Sequence, residues 1–199
     1  MDEAMRQVWN ARYRENDRLW IGEPDPAIVG IVERVQPRSA VDLGAGEGRN
    51  ALWLASRGIE TTAVDVADVA LERLARAAEE QGLAVTIQHA TIEEFAQLGL
   101  QFDLVLLANI HPPAEERRRL HALAFGLASP GGRLVIIGHH VDGVGIAGPP
   151  DPDRLLSEDE IRSQFPERSI ELLEVVRDRA DHGHVAPSLV AVVRRDAER

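Results

Sequence analysis

The chain has 199 residues, the length of one large domain, and 44% of them are hydrophobic, as in an ordinary globular protein. It has no cysteine, which excludes disulfides and thiolate metal sites, and no apolar run approaches the length of a membrane span. The net charge of −11 disfavours a nucleic-acid partner, because binding phosphates needs a concentrated basic face.

Strand and helix patterns alternate along the chain, which predicts a mostly parallel sheet with helices on both faces. The predicted helices are, in chain order, 3–16, 26–35, one that stops at Gly58, 69–81, 92–97, one that opens at 112–116, and one from the Ser157-x-x-Glu160 capping box to Phe165. The predicted strands are 39–43, 61–64, 84–89, 102–108, 133–138, 169–177 and 187–194.

The connections complete this prediction. A short connection joins the last two strands, which implies an antiparallel pair. Residues 129–132 are predicted to form a turn, and 139–153 a loop long enough to be a lid. The predicted fold class is α/β, a Rossmann-like three-layer sandwich with a mostly parallel seven-stranded sheet and an antiparallel last strand.

The most informative segment lies at residues 41–50, Val-Asp-Leu-Gly-Ala-Gly-Glu-Gly-Arg-Asn. A strand ends there, glycines follow at alternate positions, Gly44, Gly46 and Gly48, and a helix then begins. Glycine has no Cβ, so such a loop lets the backbone approach a ligand closely, although glycine turns without a ligand also exist. A dinucleotide-binding loop has its third glycine three positions after the second, where this chain has Arg49, so a nicotinamide cofactor is disfavoured.

This glycine spacing resembles the S-adenosylmethionine loop of class I methyltransferases. The stretch that carries the resemblance to their tellurite-resistance and thiopurine-methyltransferase-like group is Asp42-Leu43-Gly44-x-Gly46-x-Gly48-Arg49-Asn50-x-Leu52-x-Leu54. The resemblance implies S-adenosylmethionine as the cofactor.

The strand ends predict the residues that contact this cofactor, since ligands of parallel sheets bind there. Asp42 is expected to accept a hydrogen bond from the loop or from the cofactor's ammonium group. Arg49 is expected to pair with the cofactor's carboxylate, with a solvated side chain as the alternative. Asp65, followed by Val66, is expected to bind the ribose diol through its two oxygens. The alternative role of helix N-cap suits Asp68 better.

The third and fourth strand ends complete the site. Thr91 and Ile92 are expected to contact the adenine, in place of the Asp that the family often has there. Asn109 and His111 should face the sulfonium methyl group. His111 is the candidate catalytic residue, because an imidazole can act as a general base near neutral pH. The alternative for His111 is a structural role as the cap of the following helix.

The adjacent histidines His139 and His140 follow the fifth strand, and with His111 and Asp142 they are a candidate metal cluster. Neighbouring residues of a strand point to opposite faces, so at most one of the two should face the pocket. We therefore expect no metal site.

The first 38 residues are predicted to form a helical cap on a methyltransferase domain of residues 39–199, within a single structural domain. The cap contains Trp9, Tyr13 and Trp20, which resemble aromatic residues of the same methyltransferase group. These residues either close over the cofactor as a lid or fix the N-terminal helix to the sheet.

The sequence thus predicts an S-adenosylmethionine-dependent methyltransferase that acts on a small molecule, without a nucleic-acid or membrane partner. The N-terminal residues lack a signal-peptide pattern, so we expect a cytoplasmic protein. Two alternatives stay open. One is a methyltransferase that detoxifies tellurite or a related oxyanion, and the other is a protein that binds the cofactor without catalysis.

Overall fold

The computed structural model describes residues 3–16, 22–177, 180–181 and 184–197. The helices in these residues are α1 (Glu3–Arg14), α2 (Pro26–Val35), α3 (Arg49–Ser56), α4 (Asp68–Gln81), α5 (Ile92–Ala96), α6 (Ala114–Gly126) and α7 (Glu158–Gln164). The strands are β1 (Ser39–Leu43), β2 (Glu60–Asp65), β3 (Val85–His89), β4 (Phe102–Ala108), β5 (Ala128–His139), β6 (Ile170–Val176), β7 (Ala180–Asp181), β8 (His184–Val185) and β9 (Ser188–Arg194).

Seven of these strands form one sheet in the order β3-β2-β1-β4-β5-β9-β6. The pairs β1–β2 and β2–β3 are parallel, and β9 is antiparallel to both β5 and β6. The strands β7 and β8 pair separately as a small antiparallel ribbon, within the short connection that the sequence predicts between the last two strands. The predicted Rossmann-like α/β fold with an antiparallel last strand is confirmed. Among the described residues, no helix combines the length and the apolar character needed to cross a membrane.

The chain divides into two compact units, and the division lies between Leu104 and Val105, inside β4. In the first unit, α3 and α4 pack on β2 through a core cluster. Its buried members are Ala45, Ala51, Ala63, Leu71 and Leu74. Leu71 and Leu74 of α4, at helical spacing, meet Ala63 of β2 in this cluster, as expected for the apolar side of an amphipathic helix.

The second unit is built on β5, β6, β9, α6 and α7. β9 is buried over six successive residues, because β5 and β6 flank it on both sides. β5 is longer than predicted, since residues 129–132 belong to the strand and do not form a separate turn. The reason is a contact distant in sequence: Gly131 N–H donates to the Arg195 carbonyl, and Arg195 N–H donates to the Gly132 carbonyl, both at 2.9 Å. Gly131 absorbs the bend with a φ of +83°.

Helix α7 begins as predicted at Ser157, whose hydroxyl accepts from the Glu160 N–H at 3.3 Å. In a complete capping box the Glu160 carboxylate would accept from the Ser157 N–H. Here that carboxylate is bound by Arg117 of α6 instead. The predicted capping box is therefore only half formed.

Candidate functional site

The glycine loop of the first unit turns through three left-handed residues. Gly44, Gly46 and Gly48 have φ values of +73°, +55° and +84°. The N–H groups of Gly44 and Ala45 both donate to the Val64 carbonyl, at 2.8 and 3.0 Å, which holds the start of the loop on β2. A Cβ at Gly48 would lie 2.5 Å from Cγ of Leu74, so this glycine also lets α4 approach the loop. Positive φ values of this kind strain any residue with a side chain, which explains the three glycines.

Asp65, at the end of β2, joins the glycine loop to the start of α4. Its Oδ2 accepts from the Gly46 N–H at 2.7 Å, and its Oδ1 accepts from the Ala67 N–H at 2.9 Å. Burial raises the pKa of this carboxyl, while the backbone hydrogen bonds act in the opposite direction. Each carboxylate oxygen has a second lone pair, so Asp65 can still accept hydrogen bonds from a ribose diol.

Asp42 is buried at the end of β1, with 2% of its surface exposed. Among the described residues, none forms a hydrogen bond with its Oδ2. Burial raises the pKa of the carboxyl to about 7, Arg49 lowers it, and Asp65 raises it further. A buried acceptor without a protein donor is costly, and a ligand ammonium group would satisfy it.

Arg49, the first residue of α3, is not a solvated side chain, so that alternative is wrong. Only 19% of the side chain is exposed, and its guanidinium lies 3.8 Å from the fully buried Asp25 carboxylate. Asp25 caps α2, and its own N–H donates to Asn50 at 3.0 Å. A ligand carboxylate at Arg49 would therefore share this guanidinium with Asp25.

The residues predicted to contact the adenine lie at the start of α5. Thr91 is its N-cap, and its hydroxyl oxygen accepts from the Glu94 N–H at 3.0 Å while its own N–H donates to Glu94 at 2.8 Å. Thr91 and Ile92 are 3% and 4% exposed. The Thr91 hydroxyl also hydrogen-bonds the Glu94 carboxylate, and the Thr91 N–H and this hydroxyl together lower the pKa of Glu94. Contact of Thr91 and Ile92 with the adenine stays a prediction.

Val66 and Asp68 lie between β2 and α4. The Val66 carbonyl is 3.0 Å from Nε2 of His89. Asp68 is not the N-cap of α4, contrary to the prediction, because Ala67 has that position and Asp68 is the first helical residue. Its carboxylate instead lies 2.7 Å from His89 Nε2.

The aromatic residues of α1 hold this helix against α4. Tyr13 is 3% exposed and packs with Ala67 and Ala70, and Trp9 lies at the edge of the same cluster. Of the two predicted roles, these contacts favour the one in which the aromatic residues fix the N-terminal helix, over a lid on the cofactor. The helix is fixed to α4, however, and not to the sheet. Trp20 lies outside the described residues.

In the second unit, β4 leads into Asn109 and His111. Asn109 has a φ of +59°, which is uncommon outside glycine, and its N–H donates to the Ile137 carbonyl at 2.7 Å. Strained backbone of this kind is concentrated at functional sites. The His111 ring stacks on the His139 ring, with centroids 5.1 Å apart. Gly138 makes room for it, since a Cβ there would lie 2.8 Å from Cε1 of His111.

His111 does not cap α6, so the structural alternative for this residue is wrong. The N-cap is Pro113, and the Ala114 N–H donates to Oδ2 of Asp153 at 3.0 Å. The backbone of His111 is fixed from elsewhere, because Nη1 of Arg154 donates to its carbonyl at 3.2 Å.

Arg117 of α6 fixes the backbone of Pro112, the residue after His111. Its guanidinium is 2% exposed and donates to the carbonyls of Pro112 and Asp153, at 3.1 and 2.9 Å, and to the carboxylate of Glu160. The next turn of α6 carries His121, whose Nδ1 lies 3.2 Å from Gln164. Burial and the charge of Arg117 lower the pKa of His121 to about 4.

The predicted lid segment is closed at its base. His140 and Leu156 form a parallel bridge, and the Val141 N–H donates to the Leu156 carbonyl at 2.9 Å. Between these ends, the side chains of Val144 and Ile146 are 44% and 52% exposed.

His139 and His140 point to different surroundings, as predicted for neighbouring strand residues. His139 stacks on His111, whereas Nε2 of His140 lies 2.8 Å from the Glu158 carboxylate. Within the described part of the chain, no group of three His, Cys, Asp or Glu side chains is arranged to hold a metal ion.

Proteins that are similar to this chain are methyltransferases. Residues 40–132 match the model of a methyltransferase domain. A 2-heptyl-1-hydroxyquinolin-4(1H)-one methyltransferase of Mycobacteroides abscessus is 30% identical over 149 residues, which cover 69% of this chain and 66% of the relative. These matches support a class I S-adenosylmethionine-dependent methyltransferase.

Solved structures share the fold of this methyltransferase. One, from work on the conversion of a disulfide bond into a thioacetal group during echinomycin biosynthesis, has a TM-score of 0.80 at 22% identity, covering 98% of this chain and 93% of that chain. Another is the 1,6-didemethyltoxoflavin-N1-methyltransferase of Burkholderia thailandensis, with a TM-score of 0.75 at 21% identity and coverage of 96% and 87%. Its structure contains S-adenosylhomocysteine, the product form of the family's cofactor.

The residues of this methyltransferase fit S-adenosylmethionine. The buried Oδ2 of Asp42 suits the ammonium group, Arg49 suits the carboxylate, and Asp65 suits the ribose diol. The positions of individual contacts stay predictions.

The sequence did not reveal the residues that hold the site from a distance. These are Asn10, Arg73, Arg117, Asp153 and Arg154, each of which binds a backbone group far away in the chain. Such contacts leave no local pattern. Asp25 is different, because an Asp before Pro26 is an N-cap signal that could have been read.

Proposed function

We propose that this methyltransferase methylates a hydroxyl group or a ring nitrogen of a small heteroaromatic acceptor, with His111 as the general base. The observation that carries the proposal is the support of His111. Its ring lies on His139, and Arg154 and Arg117 hold the carbonyls of His111 and Pro112. A proton acceptor works best when its position is fixed before the substrate arrives.

The acceptor class is supported by the names of similar proteins. The Mycobacteroides relative is named for a quinolone that carries a hydroxyl group on its ring nitrogen, and the Burkholderia enzyme for transfer to a ring nitrogen. The exposed Val144 and Ile146 suit an apolar acceptor better than a charged one.

The proposed mechanism gives each residue a separate task. When bound, S-adenosylmethionine supplies a methyl group on a positively charged sulfur, and loss of this methyl leaves neutral S-adenosylhomocysteine. His111 removes the proton from the acceptor's O–H or N–H, so the freed electron pair forms the new bond to carbon. His139 keeps the His111 ring in one plane, and the arginines keep its backbone in place.

The experiment measures methyl transfer from S-adenosylmethionine labelled in the methyl group. The acceptors are 1-hydroxyquinolin-4(1H)-one, quinolin-4(1H)-one, a phenol, an aromatic thiol and tellurite. His111→Ala should lower turnover of the acceptors that must lose a proton by about a hundredfold or more, since general bases typically contribute that much. Affinity for S-adenosylhomocysteine, measured by calorimetry, should not change.

The matched control is His139→Phe, which keeps a stacked ring and removes an imidazole. This variant should keep most of the turnover. Equal losses in both variants would refute the assignment of the base to His111. Methylation of tellurite alone would favour the oxyanion alternative, and cofactor binding without any transfer would favour the non-catalytic one.

A further inference from the structure

Helix α4 begins without a side-chain cap of its own, and α1 supplies the cap. The N-cap residue is Ala67, which has no side chain capable of accepting a hydrogen bond. Asn10 takes over this task, because its Oδ1 accepts from the Val69 N–H at 3.1 Å. Its Nδ2 lies 3.4 Å from the Asp68 carboxylate. Asn10 is 7% exposed, so water cannot readily replace it.

The turn that Asn10 caps is the turn that orients Asp65. The Ala67 N–H donates to Oδ1 of Asp65, while the Gly46 N–H donates to its Oδ2. The direction of the carboxylate therefore depends on the position of the Ala67 N–H. That position depends on where the first turn of α4 begins, which the Asn10 side chain fixes from outside.

Two further contacts tie α1 to the same side of the first unit. Arg6 forms an ion pair of 3.1 Å with Glu94, the residue that completes the capping box of Thr91. Arg73 of α4 donates to the Tyr13 carbonyl at 2.8 Å and to Glu47 of the glycine loop at 2.7 Å. Helix α1 is thus connected to the loops that follow β1, β2 and β3.

We propose that Asn10 is a positioning residue for the ribose of the cofactor, and that it acts by capping α4 and so directing the Asp65 carboxylate. This inference rests on the predicted binding of the ribose diol by Asp65. A helix that only covers the core would stabilise the chain without favouring any one part of the ligand. A positioning residue must change the binding of the ribose hydroxyls selectively.

The experiment uses calorimetry with the full chain and three ligands: S-adenosylhomocysteine and its 2′-deoxy and 3′-deoxy analogues. In the wild-type protein the analogues should bind more weakly, because Asp65 loses a partner. Asn10→Ala should weaken binding of S-adenosylhomocysteine about fivefold, the equivalent of a typical N-cap. It should weaken binding of the analogues less, so the penalty for removing a hydroxyl group becomes smaller.

The matched control on the same helix is Arg12→Ala, since Arg12 lies over the Trp9 ring and does not contact α4 through any of the bonds described above. Its deoxy penalties should equal those of the wild type. Asn10→Asp alone would place two carboxylates together, because Nδ2 of Asn10 faces Asp68. The double variant Asn10→Asp with Asp68→Asn exchanges the two groups, so it keeps an acceptor for the Val69 N–H and should keep the penalties. It serves as the test if Asn10→Ala does not fold. Circular dichroism checks the folding of each variant.

The possible results distinguish a failure of the positioning role of Asn10 from a failure of the ribose assignment of Asp65. If Asn10→Ala binds all three ligands like the wild type, or weakens them by one common factor, the positioning role is overturned while the ribose assignment survives. Smaller penalties in the double variant, equal to those in Asn10→Ala, would also overturn it. If the wild type and Asp65→Ala both bind the deoxy analogues as well as S-adenosylhomocysteine, the ribose assignment fails and this inference fails with it.

Discussion

Replacing Asp42 by Asn should stabilise the folded chain, and the gain should grow with pH. Asp42 is 2% exposed, and burial raises the pKa of its carboxyl to about 7 from the ordinary value of 3.8. Asn has a similar shape and no charge at any pH. The comparison between the two side chains therefore isolates the free energy of ionising this carboxyl inside the fold.

The direction of the stability change follows from the pKa values of Asp42 in the unfolded and the folded states. Below pH 3.8 both states keep the proton, and ionisation has no effect on stability. As pH rises to about 7 the unfolded state loses the proton while the folded state keeps it, so the free energy of unfolding falls. Each pKa unit corresponds to about 1.4 kcal/mol, which gives about 4 kcal/mol at pH 8 and about 2 to 3 kcal/mol between pH 5 and 8.

The assay is urea unfolding followed by circular dichroism at pH 5, 6, 7 and 8. The same replacement at Asp159, whose side chain is fully exposed, measures the effect of losing one surface carboxylate. The stability of Asp42→Asn relative to the wild type should rise steadily over this range. A difference that stays constant from pH 5 to 8 would refute the argument, because Asp42 would then ionise equally in both states.

Two further predictions concern other buried positions. Gly48→Ala should destabilise the chain more than Gly82→Ala. Both glycines have a positive φ, which costs about 1 kcal/mol for Ala. Only the Cβ at Gly48 would overlap a neighbouring side chain, which adds about 1 to 3 kcal/mol. Equal midpoints in urea would show that this overlap relaxes freely. The pKa of His121 is lowered from 6.5 to about 4 in the folded state, so the free energy of unfolding should be highest above pH 6.5. It should fall by up to about 3 kcal/mol as pH decreases towards 4, because the unfolded state then binds a proton that the folded state does not. His121→Phe should lack that acid-dependent loss in the same assay, and parallel pH profiles would contradict the burial of a neutral imidazole.

Most of the fold could be predicted, because its signals are local. The bounds of α2, β1 and β4 agree with the prediction, since Pro26, an apolar run and a glycine each mark an element within a few residues. Residues 129–132 were assigned to a turn because Pro and Gly favour turns, yet their pairing with Arg195 extends the strand. That partner lies more than sixty residues away, and no local pattern contains it.

In the candidate site, too, the features with a local sequence signal could be predicted and the contacts between distant residues could not. Glycines at alternate positions predicted the loop, and Asp65 at a strand end predicted its own place beside Gly46. The supporting hydrogen bonds could not be predicted, since they join elements that only the folded chain brings together. Asp153 shows the consequence, because it takes the cap of α6 that the sequence offered to His111.

The closed base of the segment between His140 and Leu156 has a practical consequence for altering acceptor scope. The bridge at its two ends, together with the bonds of Asp153 and Arg154, separates residues 144–147 from the support of His111. Gly148 is different, because a Cβ there would lie 2.5 Å from Cδ2 of His139, the ring that stacks on His111. Lengthening such a closed loop costs little free energy, because the entropy of closure grows only with the logarithm of length. Residues 144–147 can thus be exchanged, and grafted or randomised sequences there can reshape the surface offered to an acceptor while the candidate base stays in place.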